Sequence, residues 1–444
     1  MFNLPHQVDF ALNKLIAAGY EAFIVGGCIR DILRQKAPSD YDITTSAEPE
    51  QTKAVFEGEK IIETGLKHGT VTLLKDGMPL EITTYRIDGA YADNRRPTSV
   101  QFTKSLTEDL ARRDFTINAM AFSKKTGIVD PFGGEADLQN KIIRSVGDAD
   151  RRFNEDALRL MRAIRFASVL GFKIEEKTKI SIFKNKNLLK NISSERIAAE
   201  LVKLLCGKNA KQIIIDYFEV LEVILPEISQ MKNFNQNNPH HIYPLLEHTA
   251  IAVENTPAEP PLRLAMLLHD CGKPDALTID ERGVSHFYGH PEISAQKAKA
   301  ALSRLKLDNA TVNLAMELIK HHDADINPTE KSVKKALNKY TPEVFFKLLE
   351  VKMADNLAQN PKYNRIDEIK ALKALATEII NKNDCYSIKQ LAVNGRDLIN
   401  IGIPAGKELG KALDYLLNAV INEKVENNKE SLLAYLKANG DFYS

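Results

Sequence analysis

The stretch "FIVGGCIRDILRQKAPSDYDI", residues 23–43, decides how the first third of the chain is read. It runs from apolar residues through a glycine pair to Asp40 and Asp42, separated by one residue. A dinucleotide turn needs G-x-G-x-x-G after a strand, each glycine with its own steric task. Gly26 and Gly27 are present, but Arg30 and Asp31 stand where the third glycine belongs, and no Gly-Lys-Ser/Thr ending offers a P-loop instead. The acids carry more information. On an extended segment residues i and i+2 share a face. Two carboxylates so placed repel unless a cation separates them, and hard ions such as Mg²⁺ take oxygen ligands. Glu81, between Leu80 and Ile82, adds a third acid on a later strand. A glycine pair near a helix start, two acids and a strand acid make a two-metal phosphoryl-transfer arrangement. Asp40, Asp42 and Glu81 are therefore the expected catalytic set, with Asp40 and Asp42 as Mg²⁺ ligands.

Composition sets the frame. A chain of 444 residues with 44% apolar content is globular and long enough for several modules. No apolar run approaches the roughly 20 residues that span a bilayer. The beginning, MFNLPHQVDF, lacks a signal-peptide pattern. Four scattered cysteines with no CxxC pair point to a reducing cytoplasm. Formal charge is only +1, so nucleic acid would have to be bound by local patches. One such patch is residues 173–211, with ten Lys or Arg against four Glu.

Along the first 140 or so residues, strands are expected at 22–25, 41–45, 60–64, 70–75, 80–86 and 100–103. Beyond about Asp150 the pattern reads as helix, including 156–171 ending at Gly171 and a helix opening at Ser193. Eight of the ten histidines fall between His240 and His322, marking a separate module.

GGCIRD followed by DYD resembles the start of a polymerase-beta-type nucleotidyltransferase head. RRDFTINAMAF (112–122) and EDALRLMRAIRF (155–166) narrow the resemblance to class II tRNA nucleotidyltransferases and bacterial poly(A) polymerases. It covers residues 20 to about 210. The resemblance implies an α+β fold, a mixed-sheet head followed by all-α neck, HD and tail modules. The expected spans are 1–145, 146–235, 236–360 and 361–444. It further implies that Asp156 and Arg159 act as an amino-acid template for the incoming base. Asp accepts from the exocyclic amine of C or A and Arg donates to the ring edge, while G and U present the reverse pattern. Arg30, Arg113, Arg162 and Arg165, with Gly26 and Gly27, are the remaining nucleotide-binding candidates. The turn-rich stretch DGAYADNRRP, residues 88–97, corresponds to the family's flexible segment for switching from C to A addition, which favours full CCA addition.

His248, the pair His269-Asp270 and the distant Asp355 follow the ligand order of an HD-type phosphohydrolase. His290 and one of the neighbours His321 and His322 fall between, with His321 taken as the ligand. Imidazoles mixed with carboxylates suit a divalent transition metal. By analogy with HD-bearing relatives the substrates would be phosphomonoesters or 2′,3′-cyclic phosphate ends. In the tail, Gly402 to Gly406 brackets a turn opening a helix, in a stretch resembling tRNA-contacting parts of the family.

The expected activity is template-independent addition of CCA to tRNA from CTP and ATP. A poly(A) polymerase on the same scaffold, or an HD phosphohydrolase with an RNA-docking head, are the alternatives. A non-enzymatic RNA-binding protein with dead sites is a third.

Overall fold

The computed structural model describes residues 2–63, 65–89 and 99–440. Two compact units divide the chain, one covering 1–226 with 304–306, the other 227–303 and 307–444.

The first unit begins with α1 (His6–Ala17), β1 (Ala22–Val25), α2 (Gly27–Leu33), β2 (Asp42–Thr45), α3 (Pro49–Val55) and β3 (Lys60–Ile62). There follow β4 (Thr70–Lys75), β5 (Met78–Thr84), β6 (Arg86–Asp88), β7 (Val100–Phe102) and α4 (Leu106–Ala111). Then come β8 (Ala121–Ser123), β9 (Gly127–Val129), α5 (Gly134–Gln139) and β10 (Ile142–Ile143). Seven strands form one sheet in the order β3-β4-β5-β2-β1-β8-β9. The β2–β5 pair is parallel and the other pairs are antiparallel, so the sheet is mixed, as expected. β1 lies inside the sheet and is apolar throughout because both its faces are covered. Ala22 and Ile24 join a cluster with Val8, Leu12, Ile29 and Leu80. Phe23 and Val25 pack with Tyr85, Leu110 and Ala121.

Helices dominate from there: α6 (Ala149–Glu155), α7 (Leu158–Leu170), then β11 (Lys173–Ile174), α8 (Glu176–Asn185), α9 (Ser194–Leu205), α10 (Ala210–Asp216) and α11 (Phe218–Ile224). Gly171 ends α7 at φ 70°, the left-handed position that favours glycine. The second unit holds α12 (Leu245–Asn255), α13 (Pro260–Leu268), β12 (Thr278–Ile279), β13 (Ser285–His286), α14 (His290–Arg304) and α15 (Asn309–His321). It closes with α16 (Glu330–Leu357), α17 (Ile366–Asn381), α18 (Gly395–Asn400), α19 (Lys407–Ile421) and α20 (Lys429–Asn439).

Three expectations need correction. The run at 80–86 is two strands: β5 ends at Thr84 and β6 pairs separately with β7. The strands β8 and β9 went unrecognised because three residues are too few to show alternation. The part beyond the head is not wholly α: β11 pairs with β10, and β12 with β13 form a hairpin. Of the stretch 88–97, residues 90–97 lie outside the described residues, and so does Thr64 of the run 60–64.

Candidate active site

Sheet register brings the opening motif together. Val25, the last residue of β1, pairs with Asp42, the first of β2, and Asp42 lies opposite Glu81 on β5. The glycine turn and both acids are therefore neighbours on three adjacent interior strands of the sheet. Gly26 is held at φ 86°, and a Cβ there would lie 3.1 Å from Arg113 Nη1 and 3.9 Å from Asp42 Oδ2. Glycine is needed for both the backbone and the space. A cavity of about 500 Å³ is lined by Gly26, Gly27, Arg30, Asp40, Asp42, Arg113, Asp156, Arg159, Arg162 and Arg165. Glu81 neighbours Asp42 in the sheet but does not line that cavity.

The acids stand in a strained electrostatic state. Burial pushes the Asp42 carboxyl up to about 6, Arg113 draws it down, and Asp40 and Glu81 push it up again. A half-buried carboxylate crowded by two more fits a divalent cation, which would remove that penalty.

The arginines are braced by side chains that motif reading passed over. Arg30 donates to Asn118 Oδ1 at 2.7 Å and to Asp31 at 3.0 and 2.9 Å. Asn118 in turn donates to Asp114 Oδ1 (3.1 Å), whose other oxygen accepts from Arg162 at 2.8 Å. Despite burial, Arg162 and Asn118 hold Asp114 down to about 2. Arg165 donates to Glu200 on α9 at 2.8 Å. Three guanidiniums, those of Arg30, Arg162 and Arg165, lie 5.1, 5.3 and 3.6 Å from the Phe166 ring centroid. Buried Asp109 fixes Arg112 (2.8 Å) and faces Arg113 (3.6 Å). Asp114, Asn118 and Phe166 are inside the quoted motifs and were legible there. Asp109 stands three and four residues before the arginines it holds, a local spacing, whereas Glu200 carries no local signal.

Asp156 is not on the helix its spacing suggested. It ends α6 in an extended conformation (φ −134°, ψ 103°), and α7 starts at Leu158. Its Oδ1 accepts from the Leu158 amide (3.1 Å) and its Oδ2 from Arg196 of α9 (2.9 Å). Arg159 is anchored by Glu155 (3.1 Å) and by the Arg112 carbonyl (2.8 Å). Asp156 and Arg159 are thus held in place, and Arg196 and Glu155 do part of the holding.

A second cluster lies in the second unit. His248 and His269 place Nε2 3.0 and 3.5 Å from Asp355 Oδ1, and 3.4 and 3.1 Å from Asp270 Oδ2. His290 and His322 place Nε2 3.2 and 3.6 Å from Asp270 Oδ1. His322 takes the position expected of His321. The structure corrects that assignment: His321 faces Glu317 and the ring of Tyr340, because one residue at the end of α15 turns a side chain away by about 100°. All four cluster histidines point Nδ1 at a backbone carbonyl, those of Ala358, Met266, Phe287 and Ile319. That fixes the tautomer so that Nε2 presents a lone pair inward. Asp270 Oδ1 and Asp355 Oδ1 are buried without a hydrogen-bond partner, and Asp270 Oδ2 lies 2.6 Å from the Lys273 ammonium. Burial opposes charge on His269, yet Asp270 and Asp355 drive it up to about 10. A divalent cation would answer the buried carboxylates and the inward-facing nitrogens together, so the residues fit a divalent metal. Asp270 belongs to both three-ligand groups, one with His248 and His269, the other with His290 and His322.

Comparison with known proteins identifies the family. Residues 22–144 match the family model "Poly A polymerase head domain", residues 171–232 "Probable RNA and SrmB-binding site of polymerase A", and residues 278–436 a model of tRNA nucleotidyltransferase domain 2. The chain is 35% identical to the CCA-adding enzyme of Lactobacillus helveticus, over 96% of this chain and 95% of that protein. It is 36% identical to that of Geobacillus thermodenitrificans, with the same coverage. Among solved structures, the Bacillus stearothermophilus CCA-adding enzyme in complex with CTP superposes with a TM-score of 0.69 at 31% identity, covering 98% of each chain.

Proposed function

The chain belongs to the family of CCA-adding enzymes, tRNA nucleotidyltransferases, and from that premise we propose which residues carry out its reaction. It adds CCA to the 3′ end of tRNA from CTP and ATP without a nucleic-acid template. The observation that supports the residue assignment most is the cavity that holds Asp40 and Asp42 together with Asp156, Arg159 and a braced set of arginines. Asp40 and Asp42 would hold the divalent ions, Mg²⁺ by the hardness of their oxygens, with Glu81 adding negative charge beside Asp42. Such ions, when bound, activate the attacking ribose hydroxyl and neutralise the charge that develops on the departing pyrophosphate.

The remaining work falls to the protein's own side chains. Gly26 and Gly27 let the triphosphate approach the backbone beside Asp42. Arg30, Arg113, Arg162 and Arg165 bind the phosphates, their guanidiniums aimed by Asp109, Asp114, Asn118 and Glu200 so that little order must be created on binding. Asp156 accepts from the N4 amine of C or the N6 amine of A, and Arg159 donates to the adjacent ring nitrogen. With G or U both groups would face like partners and stay unpaired, which costs about 1–3 kcal/mol for each buried group. One pair of side chains thereby selects both nucleotides. Contact with tRNA we assign to the basic stretch 173–211, which overlaps the RNA-binding family match, and to the turn at Gly406 (φ 107°) that caps α19.

To the second unit we assign a two-metal HD-type phosphohydrolase site, with His248, His269, Asp270, His290, His322 and Asp355 as ligands of a divalent transition metal. We place the protein in the cytoplasm. All four cysteines are free, and among the described residues no helix is long and apolar enough to cross a membrane. Incubating tRNA that lacks its CCA end with CTP alone, ATP alone or both tests the base template. Wild-type protein should stop after two C with CTP alone and complete the triplet with both. An Asp156→Ala, Arg159→Ala double variant that keeps this selectivity would remove the two residues from the assignment.

A further inference from the structure

Phe166 stands where three of the nucleotide-binding arginines meet. It lies on α7, is only 4% exposed and lines the cavity that holds the head acids. The Arg165 guanidinium carbon is 3.6 Å from its ring centroid, and those of Arg30 and Arg162 are 5.1 and 5.3 Å away. At 3.6 Å a guanidinium must lie against the face, because in the ring plane the ring's own carbons and hydrogens would be in the way. Phe115 packs on the same ring with centroids 5.8 Å apart at 83°, which fixes it in turn.

The three cations crowd one another although each has a carboxylate: Asp31 for Arg30, Asp114 for Arg162 and Glu200 for Arg165. Burial draws the Arg165 guanidinium below its ordinary range against the pull of Glu200, and the Arg162 charge adds to the lowering. A carboxylate that orients an arginine also cancels its charge, which a triphosphate site needs. An aromatic face orients a guanidinium through its quadrupole and carries no net charge. Arg165 shows the division of labour. Its Nε donates to Glu200 Oε2 at 2.8 Å, and among the described residues neither Nη group makes a hydrogen bond. The ring holds the guanidinium while both Nη groups are left for phosphate oxygens. We propose that Phe166 is a positioning residue for triphosphate binding, its ring gathering Arg165, Arg30 and Arg162 without cancelling their charge. The inference rests on reading these arginines as phosphate ligands. It gives the ring, beside the carboxylates, the task of keeping them together and charged.

The test replaces Phe166 in the full chain by phenylalanines carrying one, two and three ring fluorines, which weaken the quadrupole and nearly keep the shape. Calorimetry with Mg²⁺ present then follows CTP, UTP and pyrophosphate. The logarithm of CTP affinity should fall in step with fluorination, to about a tenfold loss at three fluorines. Pyrophosphate, which has no base, should lose the same factor. The ratio of CTP to UTP affinity should hold, because it belongs to Asp156 and Arg159. Phe166→Leu, with no face at all, should cost both ligands at least as much. A residue that only fills the core would change Tm and leave affinity flat across the series, and that result overturns the inference. Loss of CTP affinity with pyrophosphate binding unchanged overturns it too. Arg165→Ala separates the two readings. Unchanged affinity for CTP and pyrophosphate in that variant removes the phosphate-ligand reading and the inference with it. Weaker binding of both there, with a flat fluorinated series, removes the inference alone.

Discussion

The two clusters of charge in this chain solve opposite problems. In the head, Asp40 and Asp42 face an open cavity, and the order there resides in the arginines around them, each tied to a carboxylate, an amide or a ring. In the second unit the ligands themselves are ordered: four imidazoles are fixed by backbone carbonyls around two buried carboxylates. An open oxygen-only site suits labile hard ions that arrive with a triphosphate. A buried nitrogen–oxygen site suits a resident transition metal. The lesson is that order resides in the flanking arginines in one region and in the potential ligands themselves in the other.

The contrast can be broken most forcefully at the head acids. Asp40→Ala with Asp42→Ala should lower CCA addition by about a thousandfold or more, roughly 4 kcal/mol of barrier, in a primer-extension assay. The same variant should retain its full complement of transition metal, and loss of that metal would show that the clusters are not independent. Asp270→Ala, which removes the carboxylate common to both ligand groups, should weaken metal binding by at least about a hundredfold, read by metal analysis after dialysis. CCA addition should stay within about twofold.

Base selection comes next in size. Arg159→Ala should reduce discrimination against UTP and GTP by roughly ten- to a hundredfold in single-nucleotide incorporation, the worth of one good bidentate contact. Acid should then weaken metal binding at the histidine cluster. Asp270 and Asp355 raise the proton affinity of His269, so a metal must displace protons and its affinity should climb with pH by about tenfold or more between pH 6 and 8. An affinity that is flat with pH would contradict the ligand set. The smallest effect is expected at Asp114. Its carboxyl is depressed to about 2, so the stabilisation it gives is complete above about pH 4, near the unfolded value, and fades as pH falls toward 2. Asp114→Asn should lower Tm by a few degrees at pH 7, about 1 kcal/mol, and remove that part of the acid dependence.

Much of this was legible in the sequence because it rests on short-range order. The strand before Gly26, a strand at Asp42 and the glycine stop at Gly171 are local patterns, and the structure has each of them, though the strand opens at Asp42 and leaves Asp40 before it. What escaped was set by tertiary register. Glu81 was in the expected acid set, but its place opposite Asp42, off the cavity wall, follows from β5 running parallel to β2. Asp156 sits in extended backbone between two helices, where an i+3 ladder had suggested a single helix, and its carboxylate accepts from the Leu158 amide and is tied to Arg196. His321 and His322 could not be separated by composition, because the choice depends on where α15 ends. Glu200 braces Arg165 from a distant position, so its role is visible only after folding.

The central claim, that this chain builds CCA with the head acids and the Asp156–Arg159 template, is tested most directly by sequencing the products made on tRNA transcripts that end at the discriminator base. With CTP and ATP present, wild-type protein should yield a single three-nucleotide extension reading CCA, and the Asp40→Ala, Asp42→Ala variant should yield none. Long A-only tails, or a CCA extension made equally well by that variant, would contradict the account.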